Sequence, residues 1–473
     1  MPTTLIPSTL TTSELTALIS HHYPAWQVCF LNNQHSPIIG ILPKISWQLN
    51  ACQADDCPVN TTTYTVSTAV RCDDLNYQSA TTACDYAAFL AGLIDYCQNL
   101  SDAPTAQQSD PNAQYHHGLM GFVGYDAAAH ALNPYIAVSD EQPASFFGHY
   151  DIYLVPADGG FWLNTADESA QIWADKTALV DKLTQLSKQH LPQADALHLA
   201  PVWSKTEYRH AFDRSQDYLY AGDGYQINLT QPWRADTPYL GVLTAHLPSL
   251  MATSNAPFGG FLRLPTFELL SVSPELFFTF YQQDGHKHII TKPIKGTRPR
   301  AKDASADNRL KNELKNSEKD IAENLMIVDL LRNDLGKYAI TGGVKTPKRF
   351  AIESFYNVHH MVSTITAQLL PDCHPLAVLF GSLPAGSITG APKKRACEMI
   401  DEIESMPRGA YCGTMGFLNF DGTGQFNVLI RTVQANAHTT SVWAGGGITV
   451  RSKAQDEYQE CLDKIQPLLD QLS

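Results

Sequence analysis

The segment "SEKDIAENLMIVDLLRNDLG", residues 317–336, carries Ile321, Leu325, Val328, Leu331 and Leu335 at helical spacing, with acids on the other side. A helix with one apolar stripe must press that stripe against another layer. Strands supply it. "YQINLTQPW" (225–233) and "FELLSVSPELFFTFY" (267–281) are short apolar runs rich in β-formers. "SKTE" at 204–207 is a capping box, opening a helix that carries Tyr208, Phe212, Ser215 and Leu219 and ends at Gly222. The C-terminal "AQDEYQECLDKIQPLLDQL" repeats the amphipathic pattern, with a stripe of Tyr458, Cys461, Leu462, Ile465 and Leu469. Patterning therefore predicts mixed α and β structure.

A chain of 473 residues exceeds one ordinary core. The polar, proline-punctuated "KQHLPQADALHLAPVW" divides residues 1–195 from a more orderly region, 200–473. In the first region "SDAPTAQQSDPNAQ" (101–114) reads as a loop, and "GLMGFVGYD" (118–126) as a buried strand bent at its glycines. A formal net charge of −14 argues against a broad nucleic-acid footprint. With no basic, apolar leader and no run of 18 apolar residues, the expectation is a cytoplasmic protein without a membrane segment. The ten cysteines form no C-x-x-C pair, which argues against structural zinc.

Against that acidic background, "TKPIKGTRPR" (291–300) gathers Lys292, Lys295, Arg298 and Arg300. It reads either as a solvated basic loop or as a restrained lysine, since Pro293 and Gly296 flank Lys295. Among cations, an ammonium is disfavoured, so Lys295 is a candidate neutral nucleophile. Asp320 and Glu323 project together from one helix and Glu457 and Glu460 from another, with Lys464 one turn on. These pairs are ordinary solvated faces or hard oxygen ligands for Mg²⁺. The glycines of "WAGGGI" (443–448) permit close backbone approach to a ligand or a simple chain reversal. The same alternatives hold for "PAGSITGAPKK", where Lys393 lies beside a helix start.

Taken together, "GDGYQINL", "SPE", "PIKGTRPR", "AENLMIVDLLRND", "VHHMVSTI", "GSITGAPK", "YCGTMGFL", "IRT", "AGGGI" and "DEYQECLDK" resemble, in this order, the chorismate-utilising enzymes. The resemblance runs from about Ser204 to the C-terminus. It implies an α+β fold of two subdomains, whose antiparallel sheets pack face to face with helices outside and chorismate between them. Within the family it points to members that convert chorismate and ammonia into 4-amino-4-deoxychorismate, toward 4-aminobenzoate and folate. Those members take ammonia from a separate glutaminase subunit and require Mg²⁺.

By that resemblance, Glu323 and Glu460 are metal ligands, supported by Asp320 and Glu457. Glu275 of "SPE" is the general acid for the departing 4-hydroxyl, and Lys295 is a covalent nucleophile where relatives have alanine. Tyr411, Arg431, Lys464 and the backbone of Gly445, Gly446 and Gly447 bind chorismate, while Thr297 and His360 line the ring site. Gln226 stands where isochorismate and salicylate synthases have a water-activating lysine. Two other readings remain: ammonia addition at C2 to give anthranilate, and a non-catalytic scaffold that binds a glutaminase.

Overall fold

The structure, a computed structural model, describes residues 3–52, 64–72, 76–100, 113–166, 170–354 and 358–473. All but the last two residues of the loop read at 101–114 lie outside these, as does Cys57. Two twelve-stranded sheets form the centre, and every strand pairing among the described residues is antiparallel. Among the described residues eleven α-helices accompany the sheets, giving the α+β class. Apolar residues from both sheets, including Phe122 and Phe146 of one and Leu262 and Phe267 of the other, share a buried cluster where the sheets face each other.

Both sheets draw strands from either side of residues 195–200. Val28–Leu31 pairs with Gly260–Leu264, and Gly118–Val123 pairs with Thr414–Asn419. The strand expected in "GLMGFVGYD" is present and wholly buried. Burial on both faces explains its unbroken apolar character.

The capping box forms as expected. Ser204 accepts from the Glu207 amide, Glu207 reaches back, and Gly222 closes the helix Lys205–Ala221 in the left-handed region. Tyr208, Phe212, Ser215 and Leu219 are its buried face.

Three readings need correction. "FELLSVSPELFFTFY" is two strands, Phe267–Ser271 in one sheet and Leu276–Gln283 in the other, so the chain crosses between sheets at 272–275. A second crossing, 428–431, joins Gly424–Asn427 to Thr432–Ala435 beside it, with Val272 N donating to Arg431 O at 3.0 Å and Val428 N to Glu275 O at 3.0 Å. Helix Glu318–Gly336 buries Val328, Leu331 and Leu335 of the expected stripe, but also Asp320, Asn324, Ile327 and Asp334, and leaves Leu325 exposed. Helix Ala454–Leu472 likewise buries Glu457, Cys461, Ile465, Leu468 and Leu472, leaving Tyr458, Leu462 and Leu469 only partly covered. Both buried faces bring carboxylates toward a cleft, which the apolar pattern alone does not register.

Candidate active site

A cleft of about 920 Å³ is lined by all fourteen residues that the sequence singled out for binding, metal or chemistry. Its walls are the two sheet crossings, the strand Ile294–Pro299, and the helices Glu318–Gly336 and Ala454–Leu472. Glu275 ends one crossing and Arg431 the other, so the adjacency of the crossings brings acid and guanidinium into one cavity. Arg431 adopts φ 51°, a left-handed conformation that is costly for a side-chain-bearing residue.

Lys295 lies in a local irregularity of the pairing between Ile294–Pro299 and Val358–Leu369, where register shifts between Ile294 and Thr297. Gly296 takes φ 79°, and a Cβ there would lie 2.8 Å from the Asp320 carboxyl carbon. Glycine therefore lets this strand meet the acidic helix. One residue on, Thr297 faces His360 across the ladder, and Thr297 Oγ1 is 2.8 Å from His360 Nδ1.

Burial pushes the Lys295 ammonium below its ordinary range, opposed by the carboxylates of Glu275 and Glu323. The expectation that its sequence neighbours do this is corrected: Arg298 is paired with Glu313 at 3.1 Å and Asp320 at 3.4 Å, and Arg300 with Asp307 at 2.9 Å. Those arginines serve local structure. Burial also raises Glu275, to about 7, against the pull of Lys295, a Ser387 hydroxyl and Lys464. A carboxyl group so placed keeps its proton near neutrality, as a general acid requires.

The glycine run is not a chain reversal. Gly445, Gly446 and Gly447 lie within strand Thr439–Ile448, pairing with Thr230, Leu229 and Asn228. A Cβ at Gly446 would meet Glu457 Oε2 at 3.3 Å, Lys464 Nζ at 3.6 Å and Glu460 Oε1 at 3.8 Å, so the bare strand opens space before these groups. Lys464 donates to Glu460 at 2.8 Å and to Gly445 O at 3.0 Å. Burial would raise Glu460, but Lys464 holds it below its ordinary value, whereas burial lifts Glu323 and Glu457.

No three His, Cys, Asp or Glu side chains converge as a ready-made metal cage among the described residues. The arrangement nevertheless fits Mg²⁺, which takes one or two carboxylates together with waters and substrate oxygens. Glu323 and Glu460 face one cleft, and each carboxylate already attracts a cation, Lys319 at 3.9 Å and Lys464 at 2.8 Å.

At "PAGSITGAPKK" the structure supplies a 3₁₀ turn, Gly386–Ile388, before helix Lys393–Glu404. Lys393 is not free to bind an anion, being held by Asp334 at 2.7 Å and Ser382 O at 2.6 Å. Sequence reasoning missed Ser387 and Asn228 as cleft residues. Both sat inside quoted motifs, "GSITGAPK" and "GDGYQINL", which were the available signal.

A profile of the chorismate binding enzymes matches residues 72–470. The chain belongs to that family. Aminodeoxychorismate synthase component 1 of Salmonella typhimurium is 39% identical over 384 residues, covering 79% of this chain and 80% of that protein. The Escherichia coli protein of the same name is 39% identical over 375 residues, covering 78% and 79%. Among solved structures, anthranilate synthase component I from Streptococcus pneumoniae superposes with a TM-score of 0.68 at 24% identity, over 90% of this chain and 92% of that one. This last likeness concerns the fold.

Proposed function

We propose that this family member is an aminodeoxychorismate synthase component I, replacing the 4-hydroxyl of chorismate by an amino group from ammonia through a covalent adduct on Lys295. The observation that carries the reading is a half-buried lysine of lowered proton affinity sharing one cleft with a buried, neutral-range carboxyl group. The same-named relatives, matched over four fifths of their length, support it.

Chorismate carries two carboxylates, and Arg431 and Lys464 supply fixed positive charge to orient it. Thr297 and His360 shape the ring site. Lys295, as free amine, forms a bond to C2; the ring double bonds shift, and the 4-hydroxyl leaves as water with the Glu275 proton. Ammonia then adds at C4, the double bonds return, and the C2–lysine bond breaks. Two displacements retain configuration at C4. The carboxylates of Glu323 and Glu460, with Asp320 and Glu457 beside them, would hold Mg²⁺, which when bound supplies positive charge for a substrate carboxylate.

Addition of ammonia at C2, giving anthranilate, needs no such nucleophile, and Lys295 disfavours that alternative. A silent scaffold is disfavoured because the acid, the lysine and the carboxylates share one cavity. The test is turnover of chorismate with ammonium and Mg²⁺, with the product identified by mass and absorbance. 4-Amino-4-deoxychorismate is expected; anthranilate, or no turnover, would reject the proposal.

A further inference from the structure

Ser387 reaches both reacting groups. Lys295 Nζ donates to the Ser387 carbonyl at 3.4 Å, and Ser387 Oγ donates to Glu275 Oε1 at 3.4 Å. Ser387 is 8% exposed and belongs to the turn Gly386–Ile388, which is anchored on several sides. Thr389 Oγ1 bonds back to Ala385 O at 2.9 Å, and Asn228 N donates to Thr389 O at 2.8 Å. The fully buried Arg408 reaches Ile388 O at 3.5 Å while bound to Glu404 at 2.6 Å. Gly386 lies so close to Leu330 of helix Glu318–Gly336 that a Cβ there would overlap the leucine side chain.

We infer that Ser387 is a positioning residue of this site, its carbonyl aiming the Lys295 amine and its hydroxyl fixing the Glu275 carboxyl group from one anchored turn. An N–H directed at the carbonyl leaves the lone pair of the free amine on another tetrahedral direction, available to an electrophile. The hydroxyl acts on the second group as a donor, favouring carboxylate over acid. It thus moderates the rise that burial imposes on Glu275, together with the charges of Lys295 and Lys464, the other groups acting on that carboxyl. One residue thereby couples the geometry of nucleophile and acid, which must act in the same step. This inference rests on the proposed chemistry for the roles of Lys295 and Glu275, but not for the contacts themselves.

Removing the hydroxyl takes a donor from the carboxylate, so Ser387→Ala should raise Glu275 by about one pH unit, the size of a hydrogen bond to a charged group. Glu275 works protonated, so the alkaline limb of kcat should move upward by the same amount, and Ser387→Thr should restore it. The substrate-free counterpart is infrared titration of the Glu275 carboxyl band, assigned by difference from Glu275→Gln. The carbonyl arm is tested by displacing the turn: Gly386→Ala should slow formation of the Lys295 adduct at least several-fold, and adding Leu330→Ala should recover it. A Glu275 titration unchanged in Ser387→Ala, or adduct formation unaffected by Gly386→Ala, would overturn the inference. If the wild-type chain makes no 4-amino-4-deoxychorismate, the proposed reaction fails instead, and the infrared titration still decides Ser387.

Discussion

Lys464 and Glu460, one helical turn apart on Ala454–Leu472, form an ion pair of 2.8 Å that faces the bare glycine strand. Beyond this pair, the cleft gathers Asp320, met by Arg298 at 3.4 Å, Glu323, met by Lys319 at 3.9 Å, and Glu457. Carboxylates grouped on two facing helices are hard oxygen ligands suited to a divalent cation. Glu323→Ala and Glu460→Ala should each lower chorismate turnover by about 10²-fold or more, the usual scale for losing a preorganised charge at a reacting centre. Excess EDTA should stop turnover, with Mg²⁺ restoring it. Full activity in EDTA would remove the metal from the mechanism.

The Glu275 carboxyl group also leaves a mark on stability. Burial raises it from an unfolded value of 4.5 to about 7, so the folded chain binds this proton more tightly. The resulting stabilisation is complete below pH 4.5 and is lost as pH rises through about 7. At full deprotonation the difference approaches about 3 kcal/mol, because each pH unit corresponds to about 1.4 kcal/mol. Glu275→Gln, which cannot ionise, should therefore gain stability relative to wild type across this window in denaturant unfolding. A constant difference between pH 4.5 and 8 would contradict the buried-acid assignment.

Local chemistry was the legible part of the fold. The capping box at Ser204 and Glu207 is closed by atoms within one turn, so four residues suffice to read it. By contrast, "FELLSVSPELFFTFY" has the same apolar character in both halves, and it is pairing with different strands, Thr432–Ala435 for the first half and Gly424–Asn427 for the second, that separates them. Helix faces were legible only in part, Val328, Leu331, Leu335, Cys461 and Ile465 being buried as expected, for a related reason. Asp320 turns inward because Gly296 and Arg298 meet it there, and no periodicity in 317–336 encodes partners at positions 296 and 298. The site was legible through motif resemblance, whereas Ser387 was hidden because its role depends on where a turn places one carbonyl and one hydroxyl.

Ammonia supply gives a third prediction. Cys29, Cys97, Cys397, Cys412 and Cys461 are buried, and burial pushes each thiol above its ordinary value. A glutaminase nucleophile requires the opposite, an accessible thiolate. None of the ten cysteines lies in a G-x-C-x-G setting. The isolated chain should accordingly aminate chorismate with ammonium salts, and be inactive with glutamine until a separate glutaminase is added. Efficient glutamine use by the homogeneous chain would exclude that division of labour.

The deciding prediction concerns Lys295. With chorismate and Mg²⁺ but no ammonia, the second displacement cannot occur, and enzyme adduct should accumulate on the peptide containing "PIKGTR". Only the free amine attacks, so adduct formation should rise with pH as Lys295 loses its proton, earlier than for an exposed lysine because burial lowers its proton affinity. At higher pH it should fall again as Glu275 gives up the proton that the leaving hydroxyl needs. Lys295→Ala should abolish the adduct and lower 4-amino-4-deoxychorismate formation by about 10²-fold or more, the general scale for losing a catalytic group. Chorismate affinity should change little, since Arg431 and Lys464 remain to meet the carboxylates. The variant would carry the "PIAGT" sequence of relatives that add ammonia at C2, so a small yield of anthranilate is expected from it. An unmodified Lys295 peptide, together with wild-type rates in the alanine variant, would show that ammonia attacks directly and that Lys295 contributes only charge.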